Sequence, residues 1–324
     1  MNTHLRKPNY AELLNVFIDY KRLAGFKYLV AEKSLRRFVK FLSENAGSFT
    51  KETVDIYINR QPNETSKTQS NRVSDIRQFA IYLHERGYDV YIPQCLGRKG
   101  WGNPHFTPYI FSHDEIRRIF NAVDLIKPHS RYNCAVVYPV LFRVLYCCGL
   151  RISEALGLQI KDVDLGNGVL RIRSGKNGDD RLVPMSESLK SYCMTLSERI
   201  HLNAAEDDYF FKNPDGSGRG SEVVSQRFRR LLWESNIPYL GKGKGPRLHD
   251  LRHTFSCHTL KNMSDAGIDL YCALPVLSTY LGHKSIRATE GYLRLTAEFH
   301  PDVLARMSKI SSFVFPEVYA YETN

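Results

Sequence analysis

Residues 281–292 read LGHKSIRATEGY, with one histidine, His283, one tyrosine, Tyr292, nine positions later, and Thr289 between them. On its own that spacing says little. It gains meaning beside two earlier stretches, CCGLRISEALGL at 147–158 and RLHDLRH at 247–253. Together the three hold Arg151, His249, Arg252, His253, His283 and Tyr292, a set suited to gripping and attacking a phosphodiester.

Breaking a DNA strand without a metal makes three demands. Charge building on the non-bridging oxygens must be met, a nucleophile must attack in line, and the leaving oxygen needs a proton. Arginine suits the first task, because its planar guanidinium offers paired donors and keeps its charge. Arg151 follows Gly149-Leu150 at a helix start, where free N–H groups also favour phosphate. His249 and Arg252, three apart, can share one helical face. Tyr292 is the candidate nucleophile, giving a phosphotyrosine that stores the bond energy for resealing. Its phenol, ordinarily with a pKa near ~10, needs neighbouring Arg and His to activate it. Lys176, in the turn SGKNGDDR (174–181), is the candidate general acid for the leaving oxygen. Asp179 and Asp180 lie close enough along the chain to alter its pKa, or simply face water. Taken singly, each residue has a duller reading: a surface ion pair, a packed tyrosine, a capping histidine, a solvated lysine. The ordered combination is what points to chemistry.

One rival uses the same residues. His249-Asp-Leu-Arg-His253 places two histidines at i and i+4, as zinc proteases do in HExxH. Asp replaces the Glu, Arg252 would repel a metal, and no third-ligand motif follows, so zinc is a weak reading.

Length and charge frame these motifs. The 324 residues suggest two domains, and 43% hydrophobic with 24% charged residues is ordinary for a globular protein. The net charge is +11, with 17 Lys+Arg against 10 Asp+Glu before Pro108 and 28 against 24 from there on. The smaller part is the more basic, as a DNA clamp would be, although a merely basic surface fits the same numbers. Seven scattered cysteines without CxxC spacing suit a reducing, cytoplasmic compartment. The N-terminus lacks an apolar leader-like run, and the most apolar stretch, 134–150, is short for a membrane span.

Periodicity predicts the elements. Leu13, Phe17, Tyr20 and Ala24 form one helical stripe, and Leu35, Phe38 or Val39, and Leu42 a second. Thr50 caps a third helix through Asn59, and residues 70–86 carry Val73, Ile76, Ala80 and Leu83 on a fourth. Three prolines and three glycines mark 93–108 as a linker, in which Arg98 and Lys99 are more simply solvated than bound to phosphate. The second part opens with a capping box at Ser112–Glu115. A buried helix over 131–148 stopped by Gly149 follows, then a short helix at 151–158 with Ile152, Ala155 and Leu156 facing inward. Alternation at 163–165, 169–173 and 182–184 between Gly/Asn turns predicts a small antiparallel sheet, and helices resume at 187–203, 221–235 and from about 249. The expected fold is mainly α with that sheet: residues 1–92 as a four-helix unit, 93–108 as linker, 109–300 as an α+β unit and 301–324 as a tail.

GLRISEALGL, the hairpin SGKNGDDRLVP, RLHDLRHTF and LGHKSIRATEGY, in this order over residues 149–292, resemble the tyrosine recombinases, the family of phage integrases, chromosome-dimer resolvases and transposon recombinases. The resemblance implies that Arg151, Lys176, His249, Arg252, His283 and Tyr292 form the catalytic set, with Glu154 supporting them. It implies an N-terminal core-binding domain, double-stranded DNA as partner, a homo-tetramer on two duplexes with or without partner recombinases, and no metal or nucleotide cofactor. The tail, with Val303, Leu304, Ile310, Phe313 and Val314, resembles the segment that docks on a neighbouring subunit, or it folds back on its own. Residues 262–279, with Pro275, are longer than in many members and look like transposon-associated branches, which leaves the local helix path open. A topoisomerase IB-like enzyme and a DNA-binding relative without turnover remain the alternatives to a site-specific recombinase.

Overall fold

The computed structural model describes residues 8–45, 47–96, 107–173, 180–238, 245–283 and 285–299. The chain divides into two compact units, Met1–Phe106 and Thr107–Asn324.

Among the described residues, four helices build the first unit: α1 (Tyr10–Leu23), α2 (Leu29–Glu44), α3 (Lys51–Ile58) and α4 (Ser66–His84). Asn9, Thr50 and Thr65 cap three of them, their side-chain oxygens accepting backbone N–H groups of the first turn. Phe17, Phe38, Phe49 and Phe79 fill the centre. The α1 stripe differs from the sequence expectation. The buried residues are Tyr10, Leu14, Phe17 and Ile18, whereas Leu13 is half-buried and Tyr20 and Ala24 are exposed. The i, i+4, i+7, i+8 row carries the larger aliphatic load. Tyr20 stays at the rim, its ring 5.6 Å from Tyr82, where its hydroxyl meets water. Helix α4 also starts one turn before the expected Ser70. Thr65 sets that start, in a first turn (SKTQ) with no apolar residue to signal it.

In the second unit the Ser112/Glu115 capping box opens α5 (His113–Asp124) as expected. The buried helix α6 (Cys134–Cys147) begins three residues later than the sequence suggested, because His129 and Tyr132 pair in an isolated β-bridge. Helix α7 (Ile152–Leu156) buries Glu154, Ala155 and Leu156, with Ile152 only half-buried. A 3₁₀ turn leads into the antiparallel sheet β1 (Val163–Asp164), β2 (Val169–Ile172), β3 (Arg181–Pro184), in which Val163 faces Leu170 and Leu170 faces Val183. Helices α8 (Glu187–Ile200), α9 (Ser221–Glu234), α10 (Asp250–Asp265), α11 (Leu270–Leu281) and α12 (Arg287–Phe299) complete it. The architecture is thus mainly helical with one small three-stranded sheet. One core surrounds α6, and a second packs Cys257, Leu260, Leu277, Leu281, Tyr292 and Leu295 between α10, α11 and α12.

Residues 262–279 follow a plain path. Helix α10 runs to Asp265, Gly267 turns the chain at φ +76°, Asp269 caps α11, and Pro275 sits inside that helix. The 301–324 tail lies outside the described residues. Among the described residues, no helix is long and apolar enough to cross a membrane.

Gly149 is the sharpest backbone constraint. Its φ is +57°, and a Cβ there would sit 2.3 Å from the Phe255 ring. Its carbonyl also accepts from Arg252 at 2.7 Å. Gly149→Ala should therefore cost about 2–4 kcal/mol, from left-handed strain plus overpacking. The shift of the urea-unfolding midpoint measures this; an unchanged midpoint would mean the turn relaxes freely.

Candidate active site

The site assembles around one carboxylate and one helix end. Glu154, on the inward face of α7, accepts the Arg151 backbone N–H at 2.9 Å and the Arg151 guanidinium at 2.6 Å. Arg181, the first residue of β3, donates to both carboxylate oxygens, at 3.2 and 2.8 Å. Arg252, in the first turn of α10, approaches the same carboxylate to 3.9 Å. Three guanidiniums on one carboxylate leave a net charge of +2. Burial alone would raise the Glu154 pKa, but the hydrogen bonds from Arg181 and the Arg151 backbone outweigh it and bring it down to about 2.

The end of α11 supplies the remaining acceptors. Gly282 terminates that helix in the left-handed conformation, at φ +66°. The last carbonyls are then taken in sequence: Tyr280 O by Arg181 at 2.9 Å, Leu281 O by Arg252 at 2.7 Å, and Gly282 O by Arg151 at 3.5 Å. The negative end of a helix dipole thus faces the three cations. A Cβ on Gly282 would press on Arg181 Nη1 at 3.1 Å, so the glycine also makes room for that packing.

The imidazoles come next. Arg252 donates to His283 Nε2 at 3.1 Å. A guanidinium is only a donor, so Nδ1 carries the His283 proton and donates to the Thr289 hydroxyl at 2.9 Å. Tyr292, on α12 and 6% exposed, stacks at 6.1 Å over the His283 ring, and its Oη hydrogen-bonds His253 Nδ1 at 3.0 Å. His249, at the cap position of α10, stands perpendicular to the His253 ring at 4.8 Å. His253 and His283 are pushed down to about 4, by burial first and then by Arg247 and Arg252 for His253, and by Arg252 and Arg151 for His283. Burial and then His253 push His249 down similarly, but more than a third of its surface meets solvent, which screens the effect. The Tyr292 phenol is raised by burial and drawn partly back by Arg252 and Ser256.

The structure therefore gathers Arg151, Glu154, Arg252 and His283 in one hydrogen-bonded cluster, with Tyr292 beside it and His249 reached through His253. Lys176 and Asp179 lie outside the described residues. Three contributors escaped the sequence reading. In the sequence Arg181 reads as the end of the hairpin motif, His253 as one more imidazole of the set and half of the zinc rival, and Thr289 as a residue without a task. The i, i+4 spacing of His249 and His253 was the available signal for the second. Nothing local marks Arg181.

Residues 110–298 match the model of the phage integrase family. The chain belongs to that family. It is a site-specific tyrosine recombinase, an enzyme that cleaves and rejoins DNA. The chain is 30% identical to y4rB of Sinorhizobium fredii, named as an integrase/recombinase, over 93% of this chain and 97% of that one. It is 28% identical to tyrosine recombinase XerA of Saccharolobus solfataricus, over 94% and 96% respectively. Its fold is similar to that of a lambda integrase dimer bound to a COC′ core site, with a TM-score of 0.59 and 17% identity, covering 87% of this chain and 94% of that one.

Glu154→Gln tests the charge balance of the recombinase's site. A carboxylate whose folded pKa lies near 2, below its ordinary 4.5, adds stability above pH 4.5 and loses it as pH falls toward 2. The substitution should cost about 3 kcal/mol at pH 7 and about 2 kcal/mol at pH 3.5. Urea unfolding of both proteins at the two pH values measures the difference; a pH-independent gap would place the loss in packing rather than charge.

Proposed function

We propose that Tyr292 attacks the scissile phosphate, with Arg151 and Arg252 on its non-bridging oxygens and His249 and His283 as further hydrogen-bonding partners. Glu154 holds the arginines in place, and Lys176 protonates the leaving 5′ oxygen. The product is a 3′-phosphotyrosine and a free 5′-hydroxyl, which attacks the partner strand to reseal it. The observation that carries this reading is the placement of the Tyr292 hydroxyl beside Arg252 and the His253 imidazole of its own chain, with the Tyr292 ring stacked on His283. That arrangement lets one subunit cleave with its own tyrosine. Burial first, and neighbouring cations second, keep the imidazoles neutral, and an incoming phosphate offsets the cations and raises the imidazoles' proton affinity when it is needed.

The partner is double-stranded DNA at a specific site. Residues 1–92, the more basic part, serve as the clamp, 93–108 as the linker and 109–300 as the catalytic domain. The lambda integrase is a dimer on its core site; in this reading four copies of the present chain act on two duplexes in the cytoplasm, with the 301–324 tail docking between subunits. A role on a mobile element, or in chromosome or plasmid resolution, completes this reading.

A nicked suicide substrate, which loses its short 5′ strand after cleavage, should trap the protein covalently. Proteolysis and mass spectrometry of the adduct should place the nucleotide on the peptide containing Tyr292. A nucleotide on any other peptide would overturn the assignment.

A further inference from the structure

The Tyr292 hydroxyl must lose its proton as it attacks, and its surroundings restrict where that proton can go. Oη lies 3.0 Å from His253 Nδ1. Arg252, also beside the phenol, can only donate, so it occupies an oxygen lone pair and cannot receive the hydrogen. Ser256 is close as well, but its hydroxyl already donates to the Arg252 carbonyl at 2.9 Å, and an alcohol cannot hold a second proton at neutral pH. His283 has Nδ1 committed to Thr289 and Nε2 to Arg252. His249 stands against the His253 ring. Helix packing keeps the phenol and His253 together: α10 and α12 lie side by side, and the Cys257 thiol, one turn beyond His253, donates to the Tyr292 carbonyl at 4.0 Å.

We infer that His253 is the general base for strand cleavage, taking the Tyr292 proton on Nδ1. The inference rests on the reading of Tyr292 as nucleophile. In the step, the Oη–P bond forms and the P–O5′ bond breaks. The phenolic proton passes to His253 Nδ1, and the departing 5′ oxygen takes its proton from the acid on the leaving side. In resealing, the proton returns from His253 to Tyr292. The ring is suited to this because it is neutral and available in the free protein, held so by burial and by Arg247, Arg252 and His283. A phosphate anion in the site relieves that restraint. Residue 253 is therefore a catalytic position separate from His249, although both lie on one face of α10.

The test is single-turnover formation of the covalent adduct on the suicide substrate by the full-length protein. His253→Gln preserves size and hydrogen bonding but cannot carry the proton. It should bind DNA and fold as the wild type does, yet form adduct on the order of 10²-fold more slowly or worse. His253→Ala should be equally slow and be accelerated by added imidazole. A substrate with a 5′-bridging sulfur, whose leaving group needs no acid, should not restore either variant. Adduct formation by His253→Gln within about twofold of wild type would overturn the inference, as would full recovery on the sulfur substrate, which would put His253 on the leaving side. Tyr292→Phe run in parallel separates the two readings, because adduct formed by that variant would remove the nucleophile assignment and leave His253 without its task.

Discussion

Tyr292→Phe should form no detectable covalent adduct while keeping its DNA affinity and its fold. The substitution deletes one oxygen from a ring held by Leu295, Cys257 and the α10–α12 packing, so the ring keeps its place. The stability change should stay near 1 kcal/mol, the worth of the lost hydrogen bond to His253. The chemistry, in contrast, has no substitute. Tyr280, the nearest alternative in sequence, stacks on Phe255 with centroids 5.6 Å apart and has its hydroxyl engaged by Cys148. Burial pushes its phenol far above the ordinary value. Tyr280→Phe should accordingly leave adduct formation close to wild type. Electrophoresis of suicide-substrate reactions, with binding measured by gel shift, checks both, and a persistent adduct in Tyr292→Phe would move the nucleophile elsewhere.

Arg252→Ala should be the most damaging arginine substitution, losing at least ~10³-fold in cleavage and about 3–5 kcal/mol in stability. Its side chain is only 2% exposed and donates to three groups from two segments far from it in sequence: Gly149 O, and Leu281 O with His283 Nε2 at the end of α11. Removing it strands two buried carbonyls and leaves His283 without the donor that sets its tautomer. Although burial and then Arg151 lower its pKa to about 10, the guanidinium stays charged at neutral pH. Arg252→Lys should fall between, because a single ammonium cannot reach both carbonyls. The comparison needs both cleavage rates and unfolding midpoints. An Arg252→Ala protein of wild-type stability would show that the carbonyls find other donors, and one cleaving at wild-type rate would remove Arg252 from the phosphate site.

These residues also separate what could be read early from what could not. The four N-terminal helices, the three strands, the capping box at Ser112 and the stop at Gly149 follow from periodicity, caps and glycine, all of which act within a few residues. The α1 stripe is ambiguous in the sequence, because Leu13, Phe17 and Tyr20 fit a helical row as well as Tyr10, Leu14, Phe17 and Ile18 do. Only the neighbouring helices decide which row is covered. Length and Pro275 leave the helix path over 262–279 open in the sequence, whereas Gly267 and Asp269 already provide a turn and a cap just before α11 starts.

The stretch LGHKSIRATEGY, joined to GLRISEALGL and RLHDLRH, is enough by itself to determine the family and the class of reaction, and it nominates the residues proposed for the site. Residue type and order carry that information, because phosphate chemistry asks for particular functional groups. Tertiary structure alone decided how the groups face one another: Arg181 reaching Tyr280 O across 99 residues of chain, the end of α11 collecting three arginines, and the Tyr292 hydroxyl meeting His253 instead of His249. A hydrogen bond depends on distances of a few tenths of an ångström between elements brought together by packing, and no local pattern in the sequence encodes those distances.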